Sequence, residues 1–388
     1  MGEDSDIETG DHERHLEWTD FGMIKVLEKS ATAVLSCTLA FLILEGLCSS
    51  LVVGGDLLSA WRALWTTSVV HTQFDPELGW LNIPNFGKKD YYNPGVYIKT
   101  NSRGFRNQEE FDVHIPSNRL RIVCVGDSFT FGVGVDNDHS WCQQLASTDH
   151  RLQTVNMGVG GYGVDQMYLW YLREGARVDH DVLILAATPE AFWRIPFKRS
   201  GGYGKPVLQV RGNQLVAANV PVRKASRFVR WMHLNARDAV FELRTVTVLQ
   251  WILNNLQPAR ASGSDRAAES QRAVIARIIA SLQAINKQKN SVLFLVYMPT
   301  LEEYYSWDSP QRWRGLLRDE AAKQGIPFID FFEDIQKLAL SEVQRLFIPP
   351  NVLGAGHLSD YGNEYVARKL YRFVADNPEI SAKLARLR

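Results

Sequence analysis

The feature that most restricts what this chain can fold into is a recurrence of short apolar runs along its second half, with helix-like stretches between some of them. The runs are LRIVCVG (120–126), LQTVNMG (152–158), DVLILAA (181–187), SVLFLVYM (291–298) and IPFIDFF (326–332). Each ends near Gly, Pro or polar residues and reads as a strand buried on both faces. Val274, Ile275, Ile278, Ile279, Leu282 and Ile285 recur at helix spacing, which predicts a helix with one apolar face of the kind that covers a parallel sheet. Strands of this type alternating with helices predict an α/β fold, a three-layer α/β/α parallel sheet.

The rest of the chain is organised around that domain. Residues 117–388 hold the sheet, and residues 74–116, rich in aromatics, Pro, Asn and Gly, predict a leader of short strands and turns. An insertion spans about residues 200–270: a β-hairpin turning at Arg211-Gly212-Asn213, then a mobile loop over 258–270. Residues 31–53, with one ionisable side chain, Glu45, predict a single transmembrane helix preceded by a polar tail over 1–30. That tail is too polar and acidic for the basic start of a signal peptide, so the anchor is expected to stay. Lys25 and Lys29 before the span and Arg62 after it favour a cytoplasmic N-terminus, with the large domain on the periplasmic or extracellular side.

Composition narrows the chemistry. Lys+Arg 43 balances Asp+Glu 43, so no global field attracts nucleic acid. The cysteines Cys37, Cys48, Cys124 and Cys142 form no CxxC and have no histidine at ligand spacing, which predicts no metal site, no disulfide framework and no cofactor.

At the end of the first run stands Gly126-Asp127-Ser128-Phe129-Thr130-Phe131-Gly132. A serine there lies at the carboxyl edge of the sheet, where doubly wound proteins place ligands, and neighbouring backbone N–H groups can face an oxyanion. The same residue type also serves simply to cap a helix. The stretch GDSFTFGVGVDNDHSW closely resembles the first block of the SGNH/GDSL hydrolases, especially a membrane-anchored subgroup with a DPELGW…NSRGFR leader, here 75–80 and 101–106. The resemblance implies a flavodoxin-like SGNH sheet, with Ser128 as nucleophile and its own N–H as an oxyanion donor. VNMGVGGYGVDQ (155–166) resembles the second block, in which Gly161 would supply another backbone donor. GHLSDYGNEYVA (356–367) resembles the fifth, in which His357 would be the base.

Two family positions depart from the pattern. The acid usual two or three residues before the histidine is replaced by Gly354 and Ala355, and Asp360 would have to fold back to serve. The Asn that ends the third block aligns with Glu190 or Thr188; a carboxylate repels an oxyanion, whereas the threonine hydroxyl can donate. Three possibilities stay open: Glu190 orients His357, Thr188 or another donor fills the oxyanion site, or the site binds without reacting. Glu302 and Glu303 also follow a strand end at the cleft edge.

The expected function is that of an SGNH serine esterase or deacylase acting on acyl esters of a glycan or lipid at a membrane surface. The alternatives are an O-acyltransferase in polysaccharide modification and a degenerate carbohydrate-binding or assembly protein. For the last, Tyr91, Tyr92, Tyr97, Trp193, Tyr203, Tyr304, Tyr305 and Trp307 would offer stacking surfaces. Nothing in the sequence indicates an oligomeric state.

Overall fold

The computed structural model describes residues 29–47, 49–50, 71–200, 203–224, 261–305 and 311–387. Residues 1–28 of the predicted tail, residues 48 and 51–53 of the predicted span, much of the insertion and Trp307 lie outside the described residues. The chain divides into two units, Met1–Thr67 with Trp231–Arg260 and Ser68–Arg230 with Ala261–Arg388.

Of the first unit the main described element is helix α1, Lys29–Leu47. Its 19 residues have a hydropathy of 1.8 and none of its apolar window is buried in protein. A helix of this length and composition is able to cross a membrane.

The second unit is built on the five apolar runs. The leader contributes β1 (Thr72–Asp75) paired with β2 (Gly79–Asn82), and β3 (Gly87–Lys88) paired with β4 (Ile98–Lys99). The central sheet holds β5 (Leu120–Gly126), β6 (Leu152–Asn156), β7 (Val182–Ala187), β12 (Val292–Tyr297) and β13 (Phe328–Asp330). The order is β13-β12-β7-β5-β6, and every pairing is parallel. This is the flavodoxin-like doubly wound order, whose reversal point lies between β5 and β7. Both strands are buried along their whole length, as strands covered on two faces must be.

Short helices follow the strands: α2 (Ser128–Phe131), α3 (Trp141–Thr148), α4 (Val164–Arg173) and α5 (Pro189–Trp193). Helix α3 packs with the helix Asp360–Asp376, while α4, the helix Ala261–Gln288 and the helix Gln311–Gln324 pack in a row. Val274, Ile275, Ile278, Ile279 and Leu282 are buried, so the apolar stripe faces the core.

The insertion begins with β8 (Arg199–Ser200) and β9 (Tyr203–Gly204), then the hairpin β10 (Val207–Arg211) and β11 (Gln214–Ala218), with Arg211 opposite Gln214. The mobile loop expected over 258–270 is corrected: helix begins at Ala261. Ala268, Glu269, Gln271 and Arg272 are strong helix formers, and they carry the helix back from its packed stripe with Ala268 and Gln271 half-buried and Glu269 and Arg272 exposed.

Candidate active site

Ser128 stands where β5 gives way to α2, beside the reversal point of the sheet. Asp127 caps this short helix: Oδ1 accepts the Phe129 N–H at 3.0 Å, and Oδ2 accepts the Thr188 hydroxyl from the end of β7 at 2.6 Å. Arg194 Nη1 lies 3.6 Å from the same Oδ2. At the other end, Gly132 adopts a left-handed conformation and its N–H meets the Ser128 carbonyl at 2.9 Å. The serine therefore sits on a turn fixed at both ends, and one of those ends is tied across the sheet to the neighbouring strand.

His357 reaches this serine from a loop far along the chain. Its Nε2 is 2.9 Å from Ser128 Oγ, and its ring packs 5.1 Å from that of Phe129. Its Nδ1 lies 3.0 Å from the Gly354 carbonyl oxygen. A carbonyl can only accept, so Nδ1 carries the proton and the Nε2 lone pair faces the serine hydroxyl. An imidazole held in this tautomer can take a proton from Ser128. The loop is folded tightly: Ile348 N–H donates to the His357 carbonyl at 2.7 Å, and Ser359 caps the helix Asp360–Asp376 by accepting Gly362 N–H at 3.1 Å. Gly354, at φ +93°, lies so close to Gly134 that an added Cβ would stand 2.8 Å from the Gly134 Cα.

These contacts correct the idea that Glu190 orients the histidine, since both ring nitrogens are engaged elsewhere. Asp360 does not fold back either; its carboxylate lies 3.0 Å from His139 Nδ1.

Gly161 lies beyond β6, next to β5 in the sheet. Residues 159–162 form a β-turn closed by Tyr162 N–H to Val159 O at 3.3 Å, with Gly161 at φ +78°. Val159 N–H also donates to the Gly126 carbonyl at 3.2 Å, which ties the loop to the strand that carries Ser128. Among the described residues no main-chain carbonyl takes the N–H of Ser128 or of Gly161.

The opposite wall, at the ends of β7 and β12, is acidic. Thr188 is buried and its hydroxyl is committed to Asp127, which corrects its expected role as an oxyanion donor. Glu190, in the first turn of α5, is half-buried; burial raises its pKa and the charge of Asp127 adds to the rise. Glu303 is buried and forms a capping box, taking Thr300 N–H at 3.3 Å while its own N–H meets Thr300 Oγ1 at 3.4 Å. Tyr297 donates its hydroxyl to the Glu303 carboxyl. Burial, reinforced by the charge of Glu190, pushes the Glu303 pKa up to about 7. Of the aromatics considered for stacking, Trp193 and Tyr305 are exposed, and Tyr203 is buried.

The leader braces both loops of the first wall. Trp80 Nε1 donates to the Gly160 carbonyl at 2.9 Å, and Asn82 Nδ2 donates to Gly158 O at 3.0 Å. Arg106 is fully buried and gives its guanidinium to the carbonyls of Phe131 and Gly132, to Val135 O at 2.6 Å and to Asn137 Oδ1 at 3.1 Å. Neither these three residues nor the Gly354 carbonyl had a role on sequence grounds. The signals were present only as the leader motif and as the pair of glycines around Ala355.

No family model matches the chain, and no curated protein does. Similar solved structures are G-D-S-L lipolytic proteins and esterases. A member of the lipolytic protein G-D-S-L family from Veillonella parvula DSM 2008 is 12% identical, with TM-score 0.38 over 65% of this chain and 97% of that one. An acetyl xylan esterase, AlAXEase, is 15% identical, with TM-score 0.40 over 66% of this chain and 100% of that one. LAE5, an alpha/beta hydrolase enzyme from the metagenome of Lake Arreo, Spain, is 13% identical, with TM-score 0.37 over 66% of this chain and 94% of that one.

Proposed function

We propose that the chain is a serine ester hydrolase of SGNH type, held at a membrane by α1 and removing acyl groups from a glycan or lipid. The observation that carries the reading is the 2.9 Å contact between Ser128 Oγ and His357 Nε2, with Nδ1 directed at a carbonyl. In this reading Ser128 Oγ attacks the ester carbonyl carbon while His357 Nε2 takes its proton. The resulting oxyanion lies on the N–H groups of Ser128 and Gly161. Collapse breaks the ester C–O bond as His357 returns the proton to the leaving alcohol, and water repeats the sequence to release the acid.

The missing acid is less costly here than its absence suggests. Replacing a triad aspartate by asparagine costs about 10⁴ in turnover largely because the imidazole takes the wrong tautomer. The Gly354 carbonyl selects the right one, so only the attraction of a full negative charge for the imidazolium is lost. Glu190 is the greater burden, because as a carboxylate it opposes the oxyanion, and as a neutral acid it can donate. Its raised pKa shifts the balance towards the neutral form.

The test is labelling of the detergent-solubilised full chain by a fluorophosphonate, read by intact mass. Labelling that is lost in Ser128→Ala and falls in His357→Ala supports an activated serine. A folded parent that does not label overturns the reading.

A further inference from the structure

We propose that Trp80 is a positioning residue for the oxyanion donor at Gly161, acting through the peptide bond between Gly160 and Gly161. The inference rests on the proposed role of Gly161. The carbonyl of Gly160 and the N–H of Gly161 belong to one planar trans peptide and point in opposite directions. Whatever holds the carbonyl therefore aims the N–H. Trp80 Nε1 holds it, at 2.9 Å.

The turn itself does not choose this orientation. With Tyr162 N–H on Val159 O and Gly161 at φ +78°, residues 159–162 have the type II arrangement at the second central position. The type I alternative keeps the ends of the turn and reverses the central peptide, which would swing the Gly161 N–H away. Both central residues are glycines. A Cβ on Gly160 would meet nothing within 4 Å, and one on Gly161 only Trp80 Cζ2 at 3.5 Å, so no side chain opposes reversal. The indole does, and it is itself fixed. Trp80 is buried in β2, accepts the Tyr162 hydroxyl on its carbonyl, and packs 5.4 Å from the rings of Tyr162 and Tyr203. The leader strand thus sets the direction of a donor that the local sequence leaves free.

Two variants disturb this peptide by different routes. Trp80→Phe keeps a ring in the packing and removes the donor. Gly161→Ala leaves Trp80 in place and penalises the positive φ that the present orientation needs. With 4-nitrophenyl acetate, each is expected to lower kcat at least tenfold with KM unchanged, within the roughly 10²–10³ that losing a whole oxyanion donor costs. The double variant is expected to lose no more than the worse single one, because both act on one peptide. A crystal structure of Trp80→Phe is expected to show the Gly160–Gly161 peptide reversed.

An unreversed peptide, or losses that multiply in the double variant, overturns the proposal. If the parent shows no esterase activity, the reading of the site fails. The orientation of the peptide in Trp80→Phe still decides whether the indole is what holds it.

Discussion

The two walls of the cleft are built on different principles. On the β5 and β6 side, the loops that carry Ser128 and Gly161 are pinned from behind by Trp80, Asn82 and Arg106. On the β7 and β12 side stand the carboxyl groups of Glu190 and Glu303, the second held by the Tyr297 hydroxyl, and the Thr188 hydroxyl and Arg194 reach from this side to Asp127 at the end of β5. The first wall is pinned; the second holds two carboxyls, half-buried Glu190 and buried Glu303, whose pKa values burial raises. Under the proposed reading, the first wall holds the oxyanion while the second sets the pH range in which it does so.

The sharpest way to break the contrast is at the serine. Ser128→Ala and His357→Ala are each expected to lower ester hydrolysis by about 10³-fold or more, measured as kcat with an aryl ester, while changes on the acidic wall leave measurable turnover.

Next comes the rigidity of the first wall. Arg106→Met leaves the carbonyls of Phe131, Gly132 and Val135 without their buried donor and is expected to cost about 3 kcal/mol in urea unfolding.

On the acidic wall, the raised pKa of Glu303 means that its contribution is complete below its unfolded value of 4.5 and is lost as pH rises through about 7. The parent should therefore lose up to about 3 kcal/mol of stability between pH 4.5 and pH 8, and Glu303→Gln should flatten that fall in thermal melts.

The smallest effect is expected at Glu190. Glu190→Gln supplies an amide donor at every pH and removes a charge, so it should raise kcat about tenfold at pH 8 and by less at pH 5, because the raised pKa leaves more of the parent carboxyl neutral as pH falls. Equal effects at both pH values would remove the proposed link between this wall and pH.

Much of the fold was legible because burial on both faces writes itself into the chain as short runs of apolar residues. LRIVCVG and DVLILAA pair with each other in parallel, as runs without a polar face must when helices cover them. Ser128 and His357 were legible as motifs, and the structure brings them within hydrogen-bond distance. What was not legible depends on adjacency across strands. Thr188 reads in the sequence as free to donate, and β7 places it against Asp127 of β5. The helix from Ala261 was hidden because Ser and Gly lower local propensity, while the packing that decides the matter comes from the stripe farther along. The partner of His357 was invisible for a simpler reason: it is an atom that every residue has.

That carbonyl has a consequence for how the protein tolerates mutation. Replacing side chains one by one would identify a serine and a histidine and no third partner, because nothing attached to Gly354 performs the orienting. Only its location is exposed to substitution, through the contact with Gly134, where even one methyl group would force the two loops apart. If Ser128 and His357 react as proposed, the group that orients the histidine is inherited as a bend in the chain, guarded by the close approach of two glycines.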